Sequence, residues 1–397
     1  MNVSNPKLVW QLTFEGSWPT SVAFLGSGRR LAAANELGQI VVWDLPEEAP
    51  ELSADRPPMA VERRAPDHPP RRALVGHENG VTALVATADG KQLVSASLDR
   101  SSRIWEVDAP ASGTAQFVLD VESRKVAAER SGNEAVLTAP GIPVETIAAA
   151  HVLAGHDDWI ITLGMSRDER RLITGDSASR VIVWDLAERR ELARWSGYPW
   201  NWVVAATLSR DGAQALVSEY RYKRDDFDLP APAVRLYDHG GSLALDVLRE
   251  QFPDYKPHST TYGDAQVWSA FTGQGLIAAD FSPDGWLVAL GQGGEVETGK
   301  VHLVETTTGK LVRDIAGHQN GVTAVRFCAE GEFLLSTGRD TTLRICRVSD
   351  GEEVAALGEP RGGQFKDWFT ALAVSPDEMW LAAADLAGLV HVWRLDP

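Results

Sequence analysis

Residues 76–107 read GHENGVTALVATADGKQLVSASLDRSSRIWEV. The stretch opens on Gly76-His77, runs through an apolar segment from Val81 to Ala86, and turns at Asp89-Gly90. A second short run, Leu93 to Ser97, turns again at Asp99 into a third, Arg103 to Val107. Short period-two apolar runs bounded by Asp-Gly and Ser/Asp clusters favour antiparallel strands joined by tight turns over a helix. The stretch therefore predicts three consecutive strands.

The same frame returns along the chain. Gly155-His156 leads to VIVWD at Val181 to Asp185, and Gly317-His318 leads to Leu343 to Arg347. Third-strand ends fall at Trp43, Trp105, Trp184, Tyr237, Val304, Cys346 and Trp393, which makes seven copies. A period of about 40 to 45 residues with Gly-His and Trp-Asp landmarks is the signature of four-stranded blades arranged around an axis. On these residues the chain resembles the WD-repeat (WD40) β-propeller family over nearly its whole length. The resemblance implies an all-β fold: a single seven-bladed propeller of four-stranded antiparallel blades.

The expected blades are residues 18–75, 76–154, 155–196, 197–271, 272–316, 317–358 and 366–397. Residues 7–13 (KLVWQLT) look like the outer strands that follow third strands elsewhere, yet they precede the first blade. Nothing similar follows Trp393, so residues 7–13 are predicted to complete blade seven, leaving no open sheet edge at the seam. Seven repeats need about 300 residues. The excess is assigned to insertions at 46–70, 109–147, 219–232 and 239–264, with no second domain. The first, rich in proline, rejects both ladder pairing and helix. In the second, Gln116 to Val121 reads as extended and Arg124 to Arg130 as weakly helical, and a small hairpin or subdomain is expected. Three of the insertions join third to fourth strands and are expected on the bottom face.

Composition narrows the function. A formal charge of −17 and a pI near 5.0 set the average surface against phosphate backbones and anionic lipid, which argues against nucleic acid or membrane as a partner. Two cysteines, Cys328 and Cys346, make no disulfide framework and read as reduced core thiols of a cytoplasmic protein. The N-terminal residues lack a signal pattern and no apolar run approaches a membrane span. There is no G-x-S-x-G, H-E-x-x-H or C-x-x-C, so no catalytic residue, metal or cofactor is expected. The glycine-rich Gly291 to Gly294 opens no helix and lacks the dipole of a phosphate cradle. Asp225, Asp226 and Asp228 lack the alternating spacing of a calcium loop.

The resemblance also implies a hydrogen-bonded His, Ser/Thr, Asp and Trp tetrad bracing a blade. His77, Ser95, Asp99 and Trp105 fit all four places. Blade three has His156, Thr174 and Trp184 but Ala178 where the aspartate is expected, and blade six has His318, Ser336 and Asp340 but Cys346 for the tryptophan. A Ser-His-Asp set in a recurring cross-brace reads as structural, because a nucleophile needs exposure beside an oxyanion site.

Aligning the first strands puts Trp18, Trp159, Trp202 and Trp368 at one position, with Gly80, Gly275 and Gly321 in the other blades. The resemblance implies that this position rims the channel on the top face, together with Glu36 and Arg339 from turns and Tyr220 and Tyr222 from a blade-four loop. Tryptophan is enriched in binding hot spots. The implied function is a non-catalytic scaffold that docks a peptide or protein on this rim, as a subunit of a hetero-complex. The rivals are packing of each tryptophan against its neighbouring blade, an aromatic cage reading a modified peptide, and an enzyme with its site at the channel mouth.

Overall fold

The computed structural model describes residues 2–13, 18–46, 70–117, 142–197, 201–221, 232–238, 266–271, 275–293, 298–358 and 368–396. Seven sheets form, each from a consecutive antiparallel strand triplet plus an outer strand. The innermost strands are Pro19–Phe24, Val81–Ala86, Ile160–Met165, Trp202–Leu208, Leu276–Phe281, Val322–Cys328 and Phe369–Val374. Each touches the next in chain order, and the last touches the first. The fold is a closed ring of seven blades. The only helical piece among the described residues is a 3-10 turn at Ala329–Gly331.

The seam closes as expected. Strand Asn2–Thr13 pairs antiparallel with Leu389–Asp396, placing Leu8 opposite Trp393 and Trp10 opposite Val392. Trp10 and Leu12 then pack with Phe24, Trp43, Val390 and Val392 in one core spanning blades seven and one. Similar clusters fill the other inter-blade gaps, because small residues on inner and second strands, such as the Ala32 to Ala34 and Ala382 to Ala384 runs, let neighbouring sheets approach closely.

Side chains on the inner strands fasten one blade to the next. Ser21 Oγ accepts from the Leu84 amide at 2.9 Å, Thr162 Oγ1 from Ala206 at 3.1 Å, and Asp280 Oδ2 from Phe327 at 2.8 Å. In the opposite direction, the Thr82 and Thr370 hydroxyls donate to the carbonyls of Ile160 (2.9 Å) and Pro19 (2.7 Å). The inner strands surround an axial cavity of about 650 Å³, whose lining extends to Arg167, Arg210, Glu330 and Glu378 at one end.

The described ends of the second insertion form a hairpin, one of the two expected outcomes, but at an unexpected place. Strands Gly113–Phe117 and Ile142–Ala148 pair with each other, and the latter runs parallel to Arg72–Val75. The hairpin thereby adds two strands to the outer edge of blade one, making a six-stranded sheet. Arg72 anchors the junction by donating to the Val107 carbonyl and to Glu145. This part lies on the circumference and not on the bottom face, because an unpaired strand edge is the better hydrogen-bond partner. The readings made for 47–69, 118–141, 222–231 and 239–265 lie outside the described residues.

Candidate functional site

The four residues singled out in blade two form a chain of bonds. Trp105 Nε1 donates to Ser95 Oγ at 2.9 Å, His77 Nε2 meets Ser95 Oγ at 2.6 Å, and His77 Nδ1 meets Asp99 Oδ2 at 2.7 Å. A carboxylate can only accept, so Nδ1 carries a proton and donates; the serine hydroxyl donates to Nε2. The His77 side chain is fully buried, and a hydroxyl locked between two rings has no room for a substrate carbonyl. Blade six repeats the arrangement, with His318 between Ser336 (2.8 Å) and Asp340 (2.9 Å).

Blade three corrects the sequence reading. Ala178 does not leave the brace incomplete: Asp176, two residues earlier, accepts from His156 Nδ1 at 2.7 Å, and Thr174 and Trp184 complete the set. Asp176 ends the second strand, and its other oxygen accepts the amides of Ala178 and Arg180 at 2.9 and 2.8 Å. One carboxylate so caps the turn and orients the histidine.

In blade four the sequence reading placed the blade but missed a buried ion pair. Glu219, read as the start of an insertion, belongs to strand Gln214–Tyr220. Its Oε2 lies 2.6 Å from Arg235 Nη1 and accepts from Asn201 Nδ2 at 2.8 Å. All three residues are buried. The signal was available: Glu219 and Arg235 occupy the places that Ser97 and Arg103 hold in blade two.

Electrostatics agree with a bracing role. Burial opposes ionisation of Asp340, but hydrogen bonds from His318, Thr342 and the Gln319 amide outweigh it and hold the pKa at about 2. That is below an ordinary aspartate near 3.9. Its contribution is therefore full above about pH 4 and disappears as pH falls towards 2, and it is worth about 2 kcal/mol. Asp340→Asn should flatten the fall in urea midpoint between pH 4.5 and 2.5; an unchanged slope would show that the carboxylate does not stabilise the blade. Burial pushes the thiols of Cys328 and Cys346 up to about 12 and 11, which makes both poor nucleophiles. Among the described residues no cluster of His, Cys, Asp and Glu is arranged to hold a metal.

Trp18, Trp159 and Trp368 immediately precede the strands that line the cavity and Trp202 opens its own, all at the end opposite Arg167 and Glu378. Trp18, Trp159 and Trp202 are 55%, 46% and 37% exposed. Trp368 is partly covered, with the Arg339 guanidinium 4.5 Å from its ring centroid. The glycine blades have backbone reasons for lacking tryptophan. A Cβ on Gly80 would meet the Glu36 carbonyl at 2.6 Å, and Gly275 and Gly321 have φ of +63° and +104°. Glu36 and the neighbouring Leu37 are exposed on the blade-one turn; Tyr220 ends its strand against Gly275. Tyr222 lies outside the described residues.

A closed ring of seven four-stranded blades, three of them braced by His, Asp and a hydroxyl, is a β-propeller of the repeat type. The WD40 family, described as "WD domain, G-beta repeat", matches residues 69–106, 149–185 and 309–346. Three of the repeats are thus WD repeats, carried on a seven-bladed β-propeller. The chain is 26% identical over 239 residues to Autophagy-related protein 16 of Arabidopsis thaliana, covering 59% of this chain and 39% of that protein. It is 20% identical over 389 residues to Striatin-4 of Mus musculus (98% and 43%), and 24% identical over 415 residues to WD repeat-containing protein 1 of Xenopus tropicalis (95% and 61%). The chain thus spans less than two thirds of each of these relatives. Proteins of this class are generally protein-interaction scaffolds. No helix among the described residues is long and apolar enough to cross a membrane.

Proposed function

We propose that this protein is a non-catalytic interaction scaffold that docks a peptide or protein on the tryptophan-bearing rim, within a larger cytoplasmic assembly. The observation that carries the reading is the exposure of Trp18, Trp159 and Trp202 at one mouth of the ring. Indoles that served only to seal one blade against the next would be covered, as Trp105 and Trp43 are. Large exposed apolar groups on a shared rim mark contact surfaces, and tryptophan in such a position anchors binding. The buried bracing histidines supply rigidity beneath the rim.

Trp159→Ala and Trp202→Ala should each weaken a captured partner by about 2 kcal/mol or more, with little change in denaturation midpoint. The comparison is quantitative affinity capture on the wild type and each variant, with calorimetric titration of the recovered partner. Unchanged binding, or a stability loss of about 3–5 kcal/mol, would reassign these residues to packing.

A further inference from the structure

We propose that the exposed rim tryptophans are seats for arginine or lysine side chains, so that the docked segment is a basic peptide. The inference rests on the docking reading and narrows it to one partner chemistry. The protein itself shows how such an indole is filled, since Arg339 from the blade-six turn lies over Trp368 of blade seven.

The position of Arg339 can be traced around the ring. In six blades the turn between second and third strands sends one amide to the carbonyl of that blade's rim residue. The pairs are Glu36 to Trp18, Leu98 to Gly80, Ser177 to Trp159, Gly293 to Gly275, Arg339 to Gly321 and Leu386 to Trp368, at 2.8 to 3.4 Å. These turn residues are therefore equivalent. The turn also leans on the following blade: Glu36 abuts Gly80, Arg100 reaches the Asp157 carbonyl at 3.5 Å, and Arg339 covers Trp368. By this register the residues facing Trp18, Trp159 and Trp202 from the preceding blade are Leu386, Leu98 and Ser177. None carries a charge. Among the described residues one rim tryptophan has a cation over its ring, and the three beside uncharged residues are the most exposed of the four.

The surroundings select the sign of the ligand. An indole face attracts a cation and repels an anion. The Glu36 amide bonds to the Trp18 carbonyl, which holds this exposed acidic residue at the same point of the rim. Asp158 Oδ1 accepts from the Trp159 amide at 2.8 Å, fixing a second carboxylate beside its indole. Glu78 is exposed on the arc between them, where Asp157 is already paired with Arg180 at 2.6 Å, and the whole chain carries −17. A guanidinium or ammonium gains both the ring and the carboxylates.

The test is fluorescence anisotropy of the full chain with a labelled twelve-residue peptide carrying arginine at every third position among alanine and serine, against the same peptide with glutamine or glutamate. The arginine peptide should bind more tightly than both. Its affinity should fall about tenfold in Trp159→Ala/Trp202→Ala, the loss expected for a cation–π seat, and several-fold in Leu98→Arg, which places a guanidinium at the junction of blades two and three in the position Arg339 holds between blades six and seven. Melting should stay unchanged in Leu98→Arg. Equal binding of the glutamine peptide overturns the proposal, as does arginine-peptide binding that ignores both variants and so reflects net charge alone. If the captured partner remains tryptophan-dependent while the arginine peptide fails, the docking face stands with a different chemistry; if both fail, the docking reading falls as well.

Discussion

Trp10→Ala is expected to lower the unfolding free energy by about 3–5 kcal/mol, the range for deleting a buried large aromatic. Trp10 is 2% exposed and packs with residues from both sides of the seam. Its strand joins the first part of the chain to the last, so the lost contacts are the ones that complete the ring. Leu8→Ala in the same strand is the control, since Leu8 is exposed and surface changes stay within about 0.5 kcal/mol. Urea titrations followed by tryptophan emission and far-ultraviolet circular dichroism should separate the two variants. Similar midpoints would mean that the strand is held by backbone pairing alone.

Glu219→Ala should be as damaging, by about 3–5 kcal/mol, because it takes the carboxylate away from a buried guanidinium while the desolvation of that charge persists. Replacing both Glu219 and Arg235 by apolar residues of similar size should recover most of the loss, since two buried charges gain little over well-packed hydrocarbon. A double-mutant cycle in denaturant measures the coupling. Additive losses would show that the 2.6 Å contact does not join the two residues energetically.

These two cases bracket what the chain discloses on reading. The ring, its blade number and the closing strand were legible because turn residues and apolar alternation are local signals repeated seven times. The rim tryptophans were legible for the same reason: each stands one residue before an apolar run. The blade-three brace was not, because the rule looked for an aspartate at the place of Asp99, and Asp176 reaches the same nitrogen from the strand end. The Glu219–Arg235 pair was hidden by polarity, since two charged residues beside an irregular loop look solvated until cross-strand pairing brings them together. The docking of the hairpin on blade one was hidden by distance; parallel pairing between Arg72–Val75 and Ile142–Ala148 leaves no trace in either segment alone.

That hairpin alters how the ring comes apart. In the other blades the outermost strand is a margin, paired on one side and free to peel. In blade one the corresponding strand is interior, with a neighbour on each side, and the neighbour is contributed by the next repeat. Blades one and two are therefore tied at the perimeter as well as at the hub. Loosening that spreads from the circumference inwards must release the added strands before it reaches blade one, which makes this pair the most cooperative sector of the disc.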